Sequence, residues 1–256
     1  CPPQGREVSD TEDAVRRLSG VADGWLRHDR PVAVPCEDSI VEVVDGEPLP
    51  VRRSRGEAPL PLALPFDVDP VIAAGGDVRN AFCVARGHQA WLSAHVGDMD
   101  DITTQRAFAR AVDHLQELVG VEPRRLVVDR HPLYRSARGA QEAADEGGMS
   151  LARIQHHHAH LASVMAENGH DGRVPVVGIA FDDAGHGDDA AVWGGEVLVA
   201  DYDDYERLAH LAYVPLAGGD ATVRRPYRMA LAHLHAAGLP WSEDLPCVKV
   251  APIGER

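Results

Sequence analysis

Hydrophobic and polar residues alternate in short runs over much of the chain and take helical spacing in several longer segments. Two β-rich runs flank an Asp-Gly pair in "SIVEVVDGEPLPVRRS", which is a strong signal for a hairpin. "DTEDAVRRLSGVADGWLRHDR" contains a helical pattern whose end the sequence does not define. "TQRAFARAVDHLQELVG" predicts a helix that ends at Gly120, a typical C-terminal residue. The runs "RRLVVDR" and "VPVVGIAFDD" predict two apolar strands.

Three further segments complete the predicted order of elements. "AFCVARGHQAWLSAHVG" predicts two strands joined at Gly87, "SLARIQHHHAHLASVMAENG" predicts one helix, and "YRMALAHLHAAG" predicts a last helix. Strands therefore come first as a meander and later alternate with helices. This order favours an α/β or α+β layer fold around a mixed sheet.

The segment "RGEAPLPLALPFDVDP" is rich in proline, which cannot donate to a sheet or continue a helix. We therefore predict a linker without regular structure over residues 59–70. It would separate a first domain of residues 1–58 from a second domain of residues 71–256.

Composition narrows the classes of function. With 256 residues and 45% hydrophobic content, the chain can bury a sizeable core. Its 40 acidic residues outnumber 25 basic ones, so nucleic acid is not an expected partner. Its four cysteines form no CxxC pair, which favours a reducing cytoplasm, and the sequence contains no apolar run long enough to cross a membrane. The chain starts without Met in polar sequence, so we expect it to be part of something longer.

Four histidines in five positions are the first candidate chemistry. On a helix, His156 and His160 are one turn apart and can converge on one metal ion. They lie opposite an apolar stripe that contains Leu151, Ile154, His158, Leu161 and Met165. The same spacing also occurs on plain helix surfaces. The pattern indicates a packed role for His158 and leaves His157 unassigned.

A metal site with two imidazoles needs a further ligand, and Asp182 is a candidate. It is the first polar residue after the strand "VPVVGIAF", at the edge where an α/β sheet presents functional groups. Gly185 and Gly187 follow in a hairpin that could let backbone N–H groups approach a phosphate. A tight acidic turn is the alternative interpretation of this segment.

Long motifs in this chain resemble the HypF carbamoyltransferases, which mature [NiFe] hydrogenases. They include "QHHHAHLASVMAENG", "GIAFDDAGHGDDAAVWGGEVLVADYDDYERLAHL", "VPLAGGDATVRRPYRMALAHL" and, upstream, "GGDVRNAFCVARG" and "DRHPLYRS". The stretch "HDRPVAVPCEDSIVEVVDGEPLPVRRSRGEAP" is similar to the end of the YrdC-like domain of that family.

The resemblance implies an α/β fold in which an actin-like, ribonuclease-H-like first lobe follows a partial YrdC-like α/β segment. It implies an enzyme, a carbamoyltransferase that uses ATP and carbamoyl phosphate. In the family, carbamoyl-adenylate forms in the YrdC-like domain, and the carbamoyl group then passes to the C-terminal Cys of HypE. The expected cofactors are a divalent metal, iron or zinc, and ATP or carbamoyl-adenylate.

The resemblance also assigns candidate site residues. The metal ligands of the family fall on His156, His160 and Asp182. Residues expected to bind the nucleotide or adenylate are Arg53, Arg55, Asn80, Gly185, Gly187, Gly218, Gly219 and Asp220. Simple turn chemistry is the alternative reading of Asn80 and of the Gly-Gly-Asp turn.

The chain also departs from the family pattern. Asp183 and Ala184 stand where the family usually has Gly and Thr, which places a carboxylate where phosphate is expected. The chain has no counterpart of the family's acylphosphatase and zinc-finger regions or of a later metal ligand. We therefore expect that the chain alone does not transfer a carbamoyl group. Two other functions stay open: carbamoylation of a small-molecule hydroxyl in antibiotic biosynthesis, and an inactive remnant that binds a partner.

Overall fold

A computed structural model of the chain describes residues 11–30, 34, 36–219 and 221–250, without the side chains of Asp183, Ala184 and Val223. The chain divides into two compact units, Cys1–Arg207 and Leu208–Arg256. The helices are α1 (Thr11–Leu18), α2 (Ile102–Val119), α3 (Arg135–Gly147), α4 (His156–Glu167), α5 (Ala221–Arg224), α6 (Tyr227–Ala236) and α7 (Pro246–Lys249). The strands are β1 (Ile40–Val44), β2 (Glu47–Arg52), β3 (Leu62–Ala74), β4 (Phe82–Leu92), β5 (Arg125–Asp129), β6 (Ser150–Ile154), β7 (Val176–His186), β8 (Val192–Ala200) and β9 (Tyr205–His210).

The larger sheet has the strand order β4-β3-β5-β6. β3 and β4 are antiparallel, whereas β5 is parallel to both of its neighbours, β3 and β6. The core of this sheet and its helices consists of Ile72, Phe82, Val84, Trp91, Leu115, Val121, Leu126 and Ala144. The predicted mixed-sheet α/β fold is therefore confirmed, and the parallel strands β5 and β6 end at one edge.

The smaller sheet has the order β7-β8-β9, and α4 packs on β7. Leu161 of α4 lies so close to Gly178 that a Cβ at position 178 would stand 2.1 Å from its Cδ2 atom. Leu161, Ala180, Trp193, Leu198 and Ala200 form the core here. The close approach of helix and strand holds the start of α4 beside the end of β7.

A buried charged network joins β8 to Arg207 at the start of β9. Glu196 is only 2% exposed, and its Oε2 accepts a bond of 2.7 Å from Arg207 Nε. Its Oε1 accepts from the backbone N–H groups of Gly194 and Gly195. The Arg207 guanidinium also lies 3.9 Å from the centre of the Trp193 ring. Every oxygen of the buried carboxylate therefore has a donor, which is the condition for burying a charge.

We predict that this network weakens in acid. Burial opposes the charge on Glu196, but the bonds from Arg207 and Gly194 hold its pKa below the usual 4.5. A carboxyl whose folded-state pKa is lowered adds stability above its unfolded pKa and loses it as the pH falls through the folded value. The free-energy difference between the parent and Glu196→Gln in urea unfolding should therefore be largest above pH 5 and shrink toward pH 3. A difference that stays constant over this range would contradict the assignment.

The Pro-rich segment is not the unstructured linker that we expected. β3 already begins at Leu62 and continues through Pro65 and Pro70. Its first half pairs with β4 alone, because β5 joins β3 only from Val71 onward, and the β3–β4 register shifts between Ala63 and Val68. Proline is tolerated on such a free edge and at such irregularities because no ladder N–H is needed there. The domain boundary itself stays a prediction.

The expectation of two strands joined at Gly87 is also wrong. β4 is a single strand, and Gly87 takes a φ of 59° within it, opposite Val68. Glycine tolerates this left-handed conformation, so the strand bends at a register shift and continues.

The helix predicted from Ser150 begins later, at His156. Ser150–Ile154 forms β6, which pairs in parallel with β5, so Leu151 and Ile154 belong to a strand rather than to the helical stripe. The pairing partner decides this segment, and a single sequence does not reveal it. The helix α3 was not predicted, because its sequence "RSARGAQEAADEG" is mostly polar and contains glycine.

Candidate metal centre

The histidine helix starts one residue after a strand ends. Gln155 is its N-cap, with extended backbone, and its side-chain Oε1 accepts a bond of 3.0 Å from His158 N. Because β6 ends at Ile154, the first turn of α4 lies at the carboxyl edge of the parallel strands. The histidines are thereby held on a rigid turn where an α/β sheet usually places its ligands.

His156, His160 and Asp182 come together at this edge. Asp182 Oδ2 is 2.9 Å from His156 Nε2 and 3.8 Å from His160 Nε2, and the two Nε2 atoms are 3.2 Å apart. One ligand atom from each residue lies within 4.8 Å of the others. The His160 side chain is 55% exposed, so the cluster is open to solvent. We define these three residues as the HHD cluster.

The donor set of the HHD cluster suits a transition metal. Two imidazole nitrogens and a carboxylate oxygen are ligands of zinc and of non-haem iron, and three protein ligands leave positions for a substrate. The atoms stand close enough for ligand bonds of about 2 Å to one central ion after small side-chain rotations. The cluster could therefore hold the iron or zinc expected from the sequence, and the assignment of its residues as metal ligands stays a prediction.

A second carboxylate, Asp129, holds His156 from behind. Asp129 Oδ2 accepts a bond of 2.5 Å from His156 Nδ1, and Asp129 Oδ1 accepts one of 2.7 Å from His131 N. This bond leaves the proton of a neutral His156 on Nδ1 and turns the Nε2 lone pair toward the HHD cluster. Histidine ligands of metals commonly have such a carboxylate partner.

Sequence reasoning missed Asp129, although a signal existed. Asp129 is the last residue of its strand, in "RRLVVDR". Asp182 was expected at the exit of its own strand but lies inside β7, which continues to His186 past a shift in the β7–β8 register between Phe181 and Gly185. The parallel pairing of β5 with β6, which brings Asp129 opposite Ile154, places it beside the first turn of α4. The sequence predicted β5, but it assigned the residues of β6 to a helix, so the pairing of the two strands was not foreseen.

The surroundings of His156 and His160 shift their pKa values in opposite directions. The bond to Asp129 raises the pKa of His156, with partial burial opposing it and Asp182 adding to it. Burial lowers the pKa of His160, and the adjacent His156 adds to that effect. Burial raises the pKa of Asp129, but the hydrogen bond from His156 and the other interactions with neighbouring histidines together lower it by more, so the pKa lies below its usual range. Because its pKa is raised, His156 is the imidazole of the HHD cluster for which a proton competes most strongly with a metal ion.

We predict that Asp129→Asn weakens metal binding by about 10- to 100-fold, which is the usual cost of losing an outer-shell carboxylate. The amide can still accept a bond from His156 but carries no charge. The affinity for Zn²⁺ can be measured by competition with a chromophoric chelator. Asp113→Asn on the exposed surface of α2 is the matched control, and equal affinities of both variants would refute a role of Asp129.

Gly185 and Gly187 serve close packing in the structure. A Cβ at position 185 would stand 2.5 Å from His157 Cε1, and one at position 187 would stand 2.0 Å from Trp193 Nε1. Glycine at these positions lets β7 lie against the first turn of α4 and lets the hairpin close on Trp193. Their predicted role in phosphate binding is untested, and the Asp183 side chain lies outside the described atoms.

The other predicted nucleotide residues lie elsewhere in the fold. Asn80 is buried between β3 and β4, and its Nδ2 donates to the carbonyl oxygens of Gly75 and Gly76. This bonding supports the alternative of turn chemistry for Asn80. Arg53 and Arg55 follow β2 and form ion pairs with Glu57 and Asp38 respectively.

The Gly-Gly-Asp turn belongs to the second unit. Gly218 and Gly219 both have positive φ angles, of 102° and 57°, in a turn directly before α5. Asp220 lies outside the described residues. The nucleotide-binding roles of these residues stay predictions.

Comparisons with known proteins place this chain in a family. Residues 67–167 match the HypF Kae1-like domain, and residues 178–252 match the carbamoyltransferase Kae1-like domain, second subdomain. Carbamoyltransferase HypF2 of Cupriavidus necator is 44% identical over 235 residues, and HypF of Rhizobium leguminosarum bv. viciae is 40% identical over 231 residues. The chain belongs to the HypF family. The resemblance to the HypF carbamoyltransferases that the sequence motifs indicated is therefore confirmed. The match to the second subdomain begins at residue 178, inside β7.

Solved HypF structures share this fold. A crystal structure of full-length HypF in a phosphate- and nucleotide-bound form is 35% identical to this chain, with a TM-score of 0.82. The structure of T. kodakarensis HypF is 38% identical, with a TM-score of 0.82. Each alignment covers 91% of this chain. The chain spans 29% and 30% of the two HypF relatives named above and similar shares of the solved chains.

Among the described residues, none of the helices is long and apolar enough to cross a membrane.

Proposed function

We propose that this chain supplies the metal-binding part of a HypF-type carbamoyltransferase, which moves a carbamoyl group from carbamoyl-adenylate to the C-terminal Cys of a HypE-like partner. The observation that carries the proposal is the convergence of His156, His160 and Asp182 at 2.9 to 3.8 Å in a chain of the HypF family. In this proposal the enzyme acts in the cytoplasm. The three described cysteines, Cys36, Cys83 and Cys247, are free thiols, as a reducing compartment requires.

The three residues of the HHD cluster would hold iron or zinc. A bound divalent ion would supply positive charge to stabilise the carbonyl oxygen of the carbamoyl group as negative charge develops on it. Asp129 orients His156, and the rigid first turn of α4 fixes the direction in which both imidazoles point. Positioning of this kind lowers the cost of reorganisation during the reaction.

The proposed transfer exchanges one bond for another. The sulfur of the acceptor cysteine attacks the carbamoyl carbon, and a C–S bond forms. The bond from that carbon to the phosphate oxygen of the adenylate breaks, so AMP leaves with the electron pair and the thiol proton passes to solvent. A cluster that is open on the His160 side can admit an extended protein terminus, since this imidazole is half exposed.

Nucleotide binding is part of the proposal. A solved relative is described as phosphate- and nucleotide-bound, and it aligns with 91% of this chain. We propose that ATP or carbamoyl-adenylate binds to this part of the protein, with Gly185 and Gly187 as the proposed contacts beside the HHD cluster. The other contacts proposed from the sequence lie elsewhere in the fold: Arg53, Arg55, Asn80, Gly218, Gly219 and Asp220.

A chimaera tests the transfer in a complete protein. This chain would replace its 235 aligned residues in Cupriavidus necator HypF2, and the product would be incubated with ATP, carbamoyl phosphate and HypE. Mass spectrometry should detect a carbamoyl adduct on the terminal Cys of HypE. The same chimaera with His156→Ala and His160→Ala is the control and should form none.

The possible results separate the candidate functions. An inactive chimaera whose His cluster still binds metal would favour a remnant that only binds a partner. Transfer to a small-molecule hydroxyl in place of HypE would favour a biosynthetic O-carbamoyltransferase. An active chimaera that keeps full activity without the two imidazoles would overturn the proposed metal centre.

A further inference from the structure

His157 stands between the two proposed ligands of α4 and is fully buried. Its Nδ1 lies 3.2 Å from Gln155 Nε2, and its Nε2 lies 3.7 Å from Asp182 Oδ2. Its ring packs against Gly185 on β7 and lies 5.9 Å from the Trp193 ring. Among the described residues, Nε2 of His157 has no hydrogen-bond partner, although it is buried and faces the carboxylate of the HHD cluster.

The orientation of the Gln155 amide follows from two partners whose chemistry is fixed. Gln155 Oε1 lies 3.0 Å from His158 N, a backbone donor, and Gln155 Nε2 lies 3.3 Å from His186 O, a backbone acceptor. A flipped amide would place its oxygen against a carbonyl oxygen and its NH₂ against an N–H. The group that faces His157 is therefore the NH₂, which only donates.

This orientation decides the tautomer of His157. Because Gln155 Nε2 donates, His157 Nδ1 must accept and carries no proton. The ring proton of the neutral imidazole is then on Nε2, the atom that faces Asp182. His156 has the opposite arrangement, since its Nδ1 donates to Asp129 and its Nε2, which lies 2.9 Å from Asp182 Oδ2, is the ring nitrogen that a metal ion would take.

We infer that Gln155 and His157 are positioning residues of the metal centre: Gln155 holds His157 in its Nε2–H form, and His157 directs that N–H at Asp182. The inference rests on the proposed function, because it concerns the same cluster. An Nε2 atom that carries a proton cannot bind a metal, so the pair excludes His157 from ligation. Two consecutive histidines thus acquire different roles: His156 is a ligand and His157 orients one.

Nuclear magnetic resonance on the 256-residue chain can identify the tautomer directly. In long-range ¹H–¹⁵N spectra of the metal-free protein, the Nε2 atom of His157 should show the shift of a protonated nitrogen and Nδ1 that of a bare one. Titration with Zn²⁺ should move the Nε2 signals of His156 and His160 strongly while His157 keeps its pattern.

Variants separate positioning from packing. Gln155→Glu offers Nδ1 an acceptor in place of a donor and should switch His157 to the Nδ1–H tautomer. His157→Phe should weaken Zn²⁺ binding by about 10- to 100-fold, and His157→Gln, which keeps an N–H, should stay within about threefold of the parent. The buried His158, whose Nε2 bonds to Asp201 O, is the matched control as His158→Gln.

The outcomes distinguish this inference from the proposed function. A Nδ1–H tautomer in the parent, or a His157 Nε2 signal that shifts on Zn²⁺ addition like those of the ligands, would overturn the inference while the metal site stands. A chain that binds no metal but shows the Nε2–H tautomer would overturn the metal site and keep the tautomer assignment. If His157→Phe does not fold, the spectra of the parent still decide.

Discussion

Replacing both His156 and His160 by alanine is expected to abolish tight binding of Zn²⁺ or Fe²⁺ to this chain. Loss of an outer-shell partner alone lowers metal affinity by about 10- to 100-fold, and loss of a ligand costs more. We therefore expect a fall of about 10⁴-fold for the two imidazoles together. Chelator competition and metal content after dialysis would measure it.

A control must remove two imidazoles from outside the site. His88 and His114 are both exposed, and His88→Ala with His114→Ala should leave the affinity within about twofold. The affinity of the parent for Zn²⁺ should also rise with pH. The pKa of His156 is raised above its ordinary value of 6.5, so a proton still competes with the metal for this imidazole at pH values where a free histidine is neutral. Equal losses in the two double variants would show nonspecific binding.

Arg207→Met is expected to have the largest effect on stability among single changes of charged residues. Methionine keeps the apolar stem but leaves Glu196, which is 2% exposed, with a buried charge and two backbone donors. Removing one partner of a buried ion pair costs about 3 to 5 kcal/mol, and the remaining donors favour the lower end, about 3 kcal/mol. Loss of the cation–π contact with Trp193 acts in the same direction.

Urea unfolding with circular dichroism would measure this difference. Arg173→Met is the matched control, because the ion pair of Arg173 with Asp171 is exposed and should contribute less than about 1 kcal/mol. The double variant Glu196→Gln with Arg207→Met should recover part of the loss, since it leaves no buried charge. An Arg207→Met protein as stable as the Arg173→Met protein would show that the network adds nothing.

The sequence by itself determined those features that depend on neighbouring residues along the chain. The Asp-Gly hairpin of β1 and β2 forms around Asp45 and Gly46, which take the positive φ angles that such turns need. α2 ends at Gly120 in the left-handed conformation, as its periodicity and glycine predict. Family membership also followed from long motifs. Local signals suffice for the hairpin and for the end of α2, because the residues that adopt the turn conformation are the same residues that the sequence pattern identifies.

Features that depend on pairing between distant segments were decided only by the tertiary structure. Leu151 and Ile154 fit a helical stripe, yet β6 forms because β5 offers it a parallel partner. Pro65 sits in a strand because the adjacent edge of β3 is free at that point. In the first case hydrogen bonds to another strand outweigh the local preference for helix. In the second case the free edge removes the need for the N–H that proline lacks.

The candidate metal centre divides in the same way. Spacing on one helix placed His156 and His160 on a common face, and the first polar residue after an apolar run singled out Asp182, although β7 continues past it to His186. The proposed role of Asp129 required the parallel register that puts it beside α4, and the different roles proposed for His156 and His157 required knowing what each Nδ1 atom meets. Sequence fixes which groups are available, whereas the partner of each ring nitrogen, and so its tautomer, is a property of the folded contacts.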